Sequence, residues 1–163
     1  MAMAQSTFQS KQGGARVSFP PPFVFFGLMA SGLALDRWGL PLASDLAPWL
    51  RWLGAAFGIC GVLTLLSAQV SFRRTGQHPA PWKPSPELLV GGIYRYTRNP
   101  MYLGMTLFQA GLGLAVGSGW MSALAPVGLV LVHFIAVRPE EAYLTEKFGE
   151  SYLRYTSAVR RYL

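Results

Sequence analysis

The chain has 163 residues, of which 52% are apolar and only 13% charged, with a formal net charge of +7. Soluble domains carry about a quarter of their residues as charges, so a water-soluble globular fold is the first class to fall. A single cysteine, Cys60, excludes a disulfide framework and a cysteine zinc site, and no metal is expected.

Residues 1–18 read as a flexible arm carrying Lys11 and Arg16 with no acid. Pro20-Pro21-Pro22 then opens an apolar stretch, Phe23 to Leu35, closed by Asp36-Arg37. A first-turn proline is well placed, because its missing N–H has no helical partner there. A span over about 20–36 follows. A cleaved signal sequence is the other reading, but the stretch starts late and lacks a small-residue cleavage site. Between Arg51 and Arg73 lie 21 uncharged residues, giving a second span over about 49–71, with Cys60 inside it as a small packing residue. Between Arg98 and Arg138 lie 39 uncharged residues. A helix with no charge on any face for that length has no side to show to water. Gly117-Ser118-Gly119 divides this run into spans over about 100–116 and 120–137, with Trp120 as an interfacial anchor. The final segment, 139–158, places Leu144, Phe148, Tyr152 and Tyr155 at spacings of three and four. That pattern predicts an amphipathic helix on the membrane surface or over the loop 72–99, with Gly149 as its weak point.

The loop charges set an orientation. Arg73, Arg74, Lys83, Arg95 and Arg98 face only Glu87 in the loop 72–99, and the tail carries Arg138, Lys147, Arg154, Arg160 and Arg161. Between the first two spans, Arg37 and Arg51 are balanced by Asp36 and Asp45. Four spans put the arm, the loop and the tail on one side, and the positive-inside rule makes it cytoplasmic. The expected fold is therefore all-α and integral to the membrane. It has about four transmembrane helices and a C-terminal amphipathic helix in one domain over 19–163, with both termini cytoplasmic. The basic residues flank spans and form no dense run, which assigns them to anionic lipid head groups and not to nucleic acid. Gly54-x-x-x-Gly58 and Gly113-x-x-x-Gly117 suit close helix packing or a homodimer.

Two stretches stand out as chemistry. The first runs from Gly91 through Tyr94, Arg98, Asn99, Pro100 and Tyr102 to Gly104, with Asn99 expected as the N-cap of the third span. The second is Arg138-Pro139-Glu140-Glu141, readable as a helix start with two acids at its positive end. Each alone has a structural explanation in capping, snorkelling or dipole compensation. Together they place a cationic, hydroxyl-rich corner beside two carboxylates. If the third and fourth spans form a hairpin with axes about 8–10 Å apart, Tyr102 and Glu140 meet at its cytoplasmic end. Such a pocket suits a ligand bearing both signs of charge, above apolar walls for a greasy partner.

The stretch from Leu88 to Arg161 resembles the membrane methyltransferases of the isoprenylcysteine carboxyl methyltransferase and phospholipid N-methyltransferase superfamily. The likeness rests on Gly92-Ile93-Tyr94-Arg95-Tyr96, Arg98-Asn99-Pro100-Met101-Tyr102-Leu103-Gly104, Glu140-Glu141, and Phe148-Gly149 followed by Tyr152 and Tyr155. It implies S-adenosylmethionine as methyl donor, with Tyr94, Arg98, Asn99, Tyr102 and Leu103 lining its site and Glu140 and Glu141 supplying carboxylates. Arg98, Glu140 and Glu141 would then carry the chemistry, Arg98 toward the donor carboxylate and a glutamate toward its ammonium or ribose. Adjacent helical residues point about 100° apart, so which glutamate faces the donor stays open. Where isoprenylcysteine enzymes show Arg-His-Pro, this chain has Arg98-Asn99-Pro100, closer to the phospholipid branch and bacterial relatives. That departure leaves Asn99 without a proton-accepting role. His133, inside the fourth span, is expected to bond another helix.

The resemblance implies an enzyme of a bacterial inner membrane, its site facing the cytoplasm, acting on a lipophilic or small amine, thiol or carboxylate. No glycine-rich dinucleotide fingerprint follows a strand, which excludes a soluble Rossmann-type methyltransferase. The competing reading is a non-enzymatic scaffold or transporter subunit with lipid-binding basic loops.

Overall fold

The computed structural model describes residues 14–39, 42 and 47–162. The first part of the expected arm, with Lys11, and the loop acid Asp45 lie outside the described residues. Among the described residues the chain is helical, with no strand. The helices are α1 (Pro21–Arg37), α2 (Pro48–Arg74), α3 (Pro100–Val116), α4 (Gly119–Phe148) and α5 (Glu150–Ala158), with a 3-10 turn at Gly92–Arg95. Prolines set the first turns of α1, α2 and α3, where the lost N–H costs no hydrogen bond.

α3 is the central element. Its neighbours approach so closely that side chains are excluded at the contacts. A Cβ on Gly61 of α2 would lie 2.5 Å from the Phe108 nitrogen, and one on Gly111 of α3 would lie 2.2 Å from the Gly58 nitrogen. These pairings run in opposite order along the two helices, so α2 and α3 are antiparallel. Gly54 and Gly58 thus serve this intramolecular contact, while Gly113 abuts Ser122 at the start of α4. The turn between α3 and α4 is made as the sequence predicts. Gly117 takes a left-handed conformation (φ 79°), and the Ser118 hydroxyl accepts the Met121 N–H at 3.2 Å. α1 lies along α4, with Gly32 against Met121 and Gly128 against Phe25.

Two helices, α2 with 27 residues and α4 with 30, are long and apolar enough to cross a membrane. In the most apolar window of α2 only 17% of residues are buried inside the molecule. A core helix of a soluble protein would be mostly covered. Phe57, Ile59, Leu63 and Leu66 instead point outward along it, and such a face needs an apolar surrounding. Cys60 is also on the exposed side and does not pack between helices as expected. The apolar helix α3 has 17 residues, as does α1.

The C-terminal half departs from expectation in two places. An α-helical segment does begin at Arg138 with Pro139 in its first turn, but it is not a separate helix. α4 continues through it, because a π turn over His133–Val137 widens the helix just before the proline ring and its missing N–H. The expected helix over 139–158 is two pieces, its first half belonging to α4. Gly149, at φ 52° and ψ −126°, turns the chain into α5. That conformation is strained for any residue with a Cβ.

Candidate active site

At the end of the bundle where α3 begins, a cavity opens between five stretches of chain. Ala15, the segment from Phe72 to Leu89, the turn before α3 with the first residues of that helix, the C-terminal third of α4 and the α5 tyrosines line it. Its empty space, with the open mouth counted in, is about 850 Å³. Phe72, Leu88, Leu89, Met101 and Leu144 give it apolar walls, while Arg98, Glu140, Glu141 and Tyr102 supply its polar end.

Six of the residues singled out from the sequence line this one cavity: Tyr94, Arg98, Asn99, Tyr102, Glu140 and Glu141. Leu103, one position on from Tyr102 and about 100° round the helix, is not among its lining residues. Both glutamates reach the cavity despite being adjacent in α4. The Tyr102 phenol donates a hydrogen bond to Oε1 of Glu140, joining the two ends of the α3–α4 hairpin. Among the described residues Glu140 forms no ion pair, whereas Glu141 is held by two arginines. Its Oε1 lies 3.1 Å from Nη1 of Arg98 and 2.8 Å from Nε of Arg161, and Arg161 Nη2 donates to Oε2 at 2.9 Å. The Arg98 Nε is buried and has no hydrogen-bond partner among the described residues.

Asn99 occupies the N-cap position but does not cap with its side chain. Its Nδ2 donates instead to the carbonyl of Arg161 at 3.1 Å. The Thr97 hydroxyl donates to the same carbonyl at 3.2 Å, and the Arg98 N–H donates to the carbonyl of Arg160 at 3.0 Å. The segment after α5 thus folds back as a strap across the turn before α3. It ends with the Tyr162 hydroxyl 3.1 Å from Nδ1 of His133, so His133 bonds this strap and not another helix. The charges at 160–161 entered the sequence reading only as topology signals. Their carbonyl contacts have no side-chain signature.

Tyr94 and Tyr155 are coupled across the cavity. The Tyr155 phenol donates to the Tyr94 carbonyl at 2.6 Å, and Phe72 meets the Tyr94 ring edge-on at 5.8 Å. Burial pushes the Tyr94 phenol far above its ordinary range, and the Glu140 charge adds to that. Burial raises Tyr155 as well. Both phenols therefore stay protonated donors throughout the physiological range.

The remaining wall comes from the N-terminal side. Residues 14–17, expected within the flexible arm, are held against the loop. The Ala15 N–H donates to the Pro81 carbonyl at 2.7 Å, and that of Gly14 to the Trp82 carbonyl at 3.3 Å. Ala15 is 4% exposed and forms part of the cavity lining.

A family model described as phospholipid methyltransferase matches residues 49–151, more than half the chain. The chain belongs to the phospholipid methyltransferase family. The match takes in α2, which supplies only Phe72 to the cavity lining, and stops before the strap. The chain is also similar to protein-S-isoprenylcysteine O-methyltransferase of Schizosaccharomyces pombe (strain 972 / ATCC 24843), 39% identical over 74 residues, which are 44% of this chain. The matched stretch spans 30% of that relative's length. No solved structure matches.

Proposed function

We propose that this protein is an integral membrane methyltransferase, moving a methyl group from S-adenosylmethionine to a lipophilic or small acceptor at the cytoplasmic face. The observation that carries this reading is the convergence of Arg98, Glu140, Glu141 and Tyr102 in one cavity that has apolar walls beneath. The donor offers an ammonium, a sulfonium and a carboxylate. Among the described residues the buried Nε of Arg98 has no partner and no cation neutralises Glu140, so Arg98 fits the carboxylate and Glu140 a positive group. Asn99 and the protonated phenol of Tyr94 complete the polar wall.

When bound, the donor supplies an electrophilic methyl whose bond to sulfur breaks with both electrons, leaving a neutral thioether. The acceptor's lone pair forms the new bond. Little acid–base work is then asked of the chain. Its contribution is to align the reactants and to keep water from the reacting carbon. A carboxylate or thiolate acceptor attacks already ionised. An amine acceptor must also lose a proton, for which Glu140 is the nearest unpaired carboxylate. In this reading all four apolar helices cross the bilayer and both termini are cytoplasmic, so the cavity faces the side from which the donor arrives. The test is calorimetric titration of S-adenosylmethionine into detergent-purified protein. Wild type and Arg37→Ala are expected to bind alike, with binding lost in the Glu140→Ala/Glu141→Ala variant. A folded wild type that takes up no donor would overturn the methyltransferase reading in favour of a scaffold.

A further inference from the structure

The two adjacent glutamates are treated differently by the structure. Both oxygens of Glu141 are taken, by Arg161 on Oε1 and Oε2 and by Arg98 on Oε1. Glu140 receives a phenol hydrogen bond and no cation among the described residues. An incoming positive group can meet Glu140 without displacing anything charged. At Glu141 it would have to break an existing pair, and separating a half-buried pair is costly. Arg161 is 43% exposed and is not among the residues lining the cavity, so any effect of its side chain on the cavity passes through Glu141. The same residue's carbonyl holds Thr97 and Asn99. One position in the strap therefore ties α4 to the turn before α3, outside the stretch matched by the family.

We propose that Arg161 is a positioning residue of the methyl-donor site: it clamps Glu141 from the C-terminal strap and leaves Glu140 as the carboxylate that meets the donor's positive charge. This rests on the donor reading given above. Clamped by two arginines, Glu141 acts as a fixed post, and Arg98 keeps its guanidinium at the cavity because Glu141 holds one end of it.

The experiment is a double-mutant cycle on the full chain in detergent, read by calorimetric S-adenosylmethionine binding. Arg161→Ala is expected to weaken binding on the order of tenfold, the usual effect of losing a charged hydrogen bond. In a Glu141→Gln background the same substitution is expected to change nothing further. Arg161→Lys is expected to recover part of the loss, and Glu140→Gln to weaken binding more than Glu141→Gln. Hydrogen exchange at the Arg98 amide, bonded to the strap, reports whether each variant keeps the strap docked. An undiminished Arg161→Ala effect in the Glu141→Gln background, or a Glu141→Gln loss equal to that of Glu140→Gln, overturns the proposal while the donor reading stands. A wild type that binds no S-adenosylmethionine overturns both.

Discussion

At the scale of single residues, the molecule depends on places where a side chain is missing. Gly111 has the α2 backbone where its Cβ would be, with the Gly58 nitrogen 2.2 Å away and the Gly54 carbonyl oxygen 2.5 Å away. Neither neighbour is a flexible side chain that could swing aside. Gly111→Ala must push α2 and α3 apart, and overpacking of this kind costs about 1–3 kcal/mol. The expected outcome is a lower thermal unfolding midpoint in detergent, with Gly27→Ala as the comparison. Nothing lies within 4 Å of a Cβ at Gly27, and α1 gains propensity from the change. Equal midpoints for the two variants would mean that the helices are not held in this contact.

At the scale of elements, part of the site's wall comes from pieces outside the long apolar helices. The backbone of Gly14 and Ala15 lies against residues 81–83, so closely that a Cβ on Gly14 would fall 2.3 Å from the Trp82 carbonyl carbon. Gly14→Val is therefore expected to lift this segment from the loop and withdraw Ala15 from the cavity wall. Limited trypsin digestion checks it, since cleavage after Arg16 should become several-fold faster than in the wild type. An unchanged rate would show that the arm is held by something other than these backbone bonds. The same scale sets which way the Glu140–Glu141 pair is turned. The π turn at His133–Val137 adds a residue to the helix path before them, changing which faces the following side chains occupy.

For the whole molecule, the four-span reading predicts opposite exposure of the two ends of the α3 region. With Cys60→Ser removing the native thiol, Tyr96→Cys should react with a membrane-impermeant thiol reagent only from the cytoplasmic side of sealed vesicles. Val116→Cys should react only from the other side. Both native side chains are well exposed, at 74% and 56%, so access is not limited by the fold. Labelling of both from one side would remove the spanning assignment of α3.

Much of this architecture was legible because charge gaps, first-turn prolines and the Gly117-Ser118-Gly119 break are local signals that act through solvation and backbone geometry. The meeting of Tyr102 with Glu140 followed from the hairpin those signals imply. What stayed hidden is long-range and made of main chain. The docking of Gly14 on the loop, the use of the Asn99 side chain for the strap instead of a cap, and the reach of Tyr162 to His133 have no periodicity to betray them. The continuation of α4 through Pro139 was missed for a related reason, since a first-turn proline and one that follows a π turn look alike in sequence.

The strap's grip on Arg98 is made by a peptide carbonyl, that of Arg160, whose own side chain is exposed. A library of every amino acid at position 160 would therefore score it as permissive, and the contact would leave little trace in a mutational landscape. Its contribution would surface only through protein semisynthesis, with an ester replacing the amide between residues 160 and 161 to weaken that one acceptor. Selection can alter the letter at such a position freely while the atoms that matter never change.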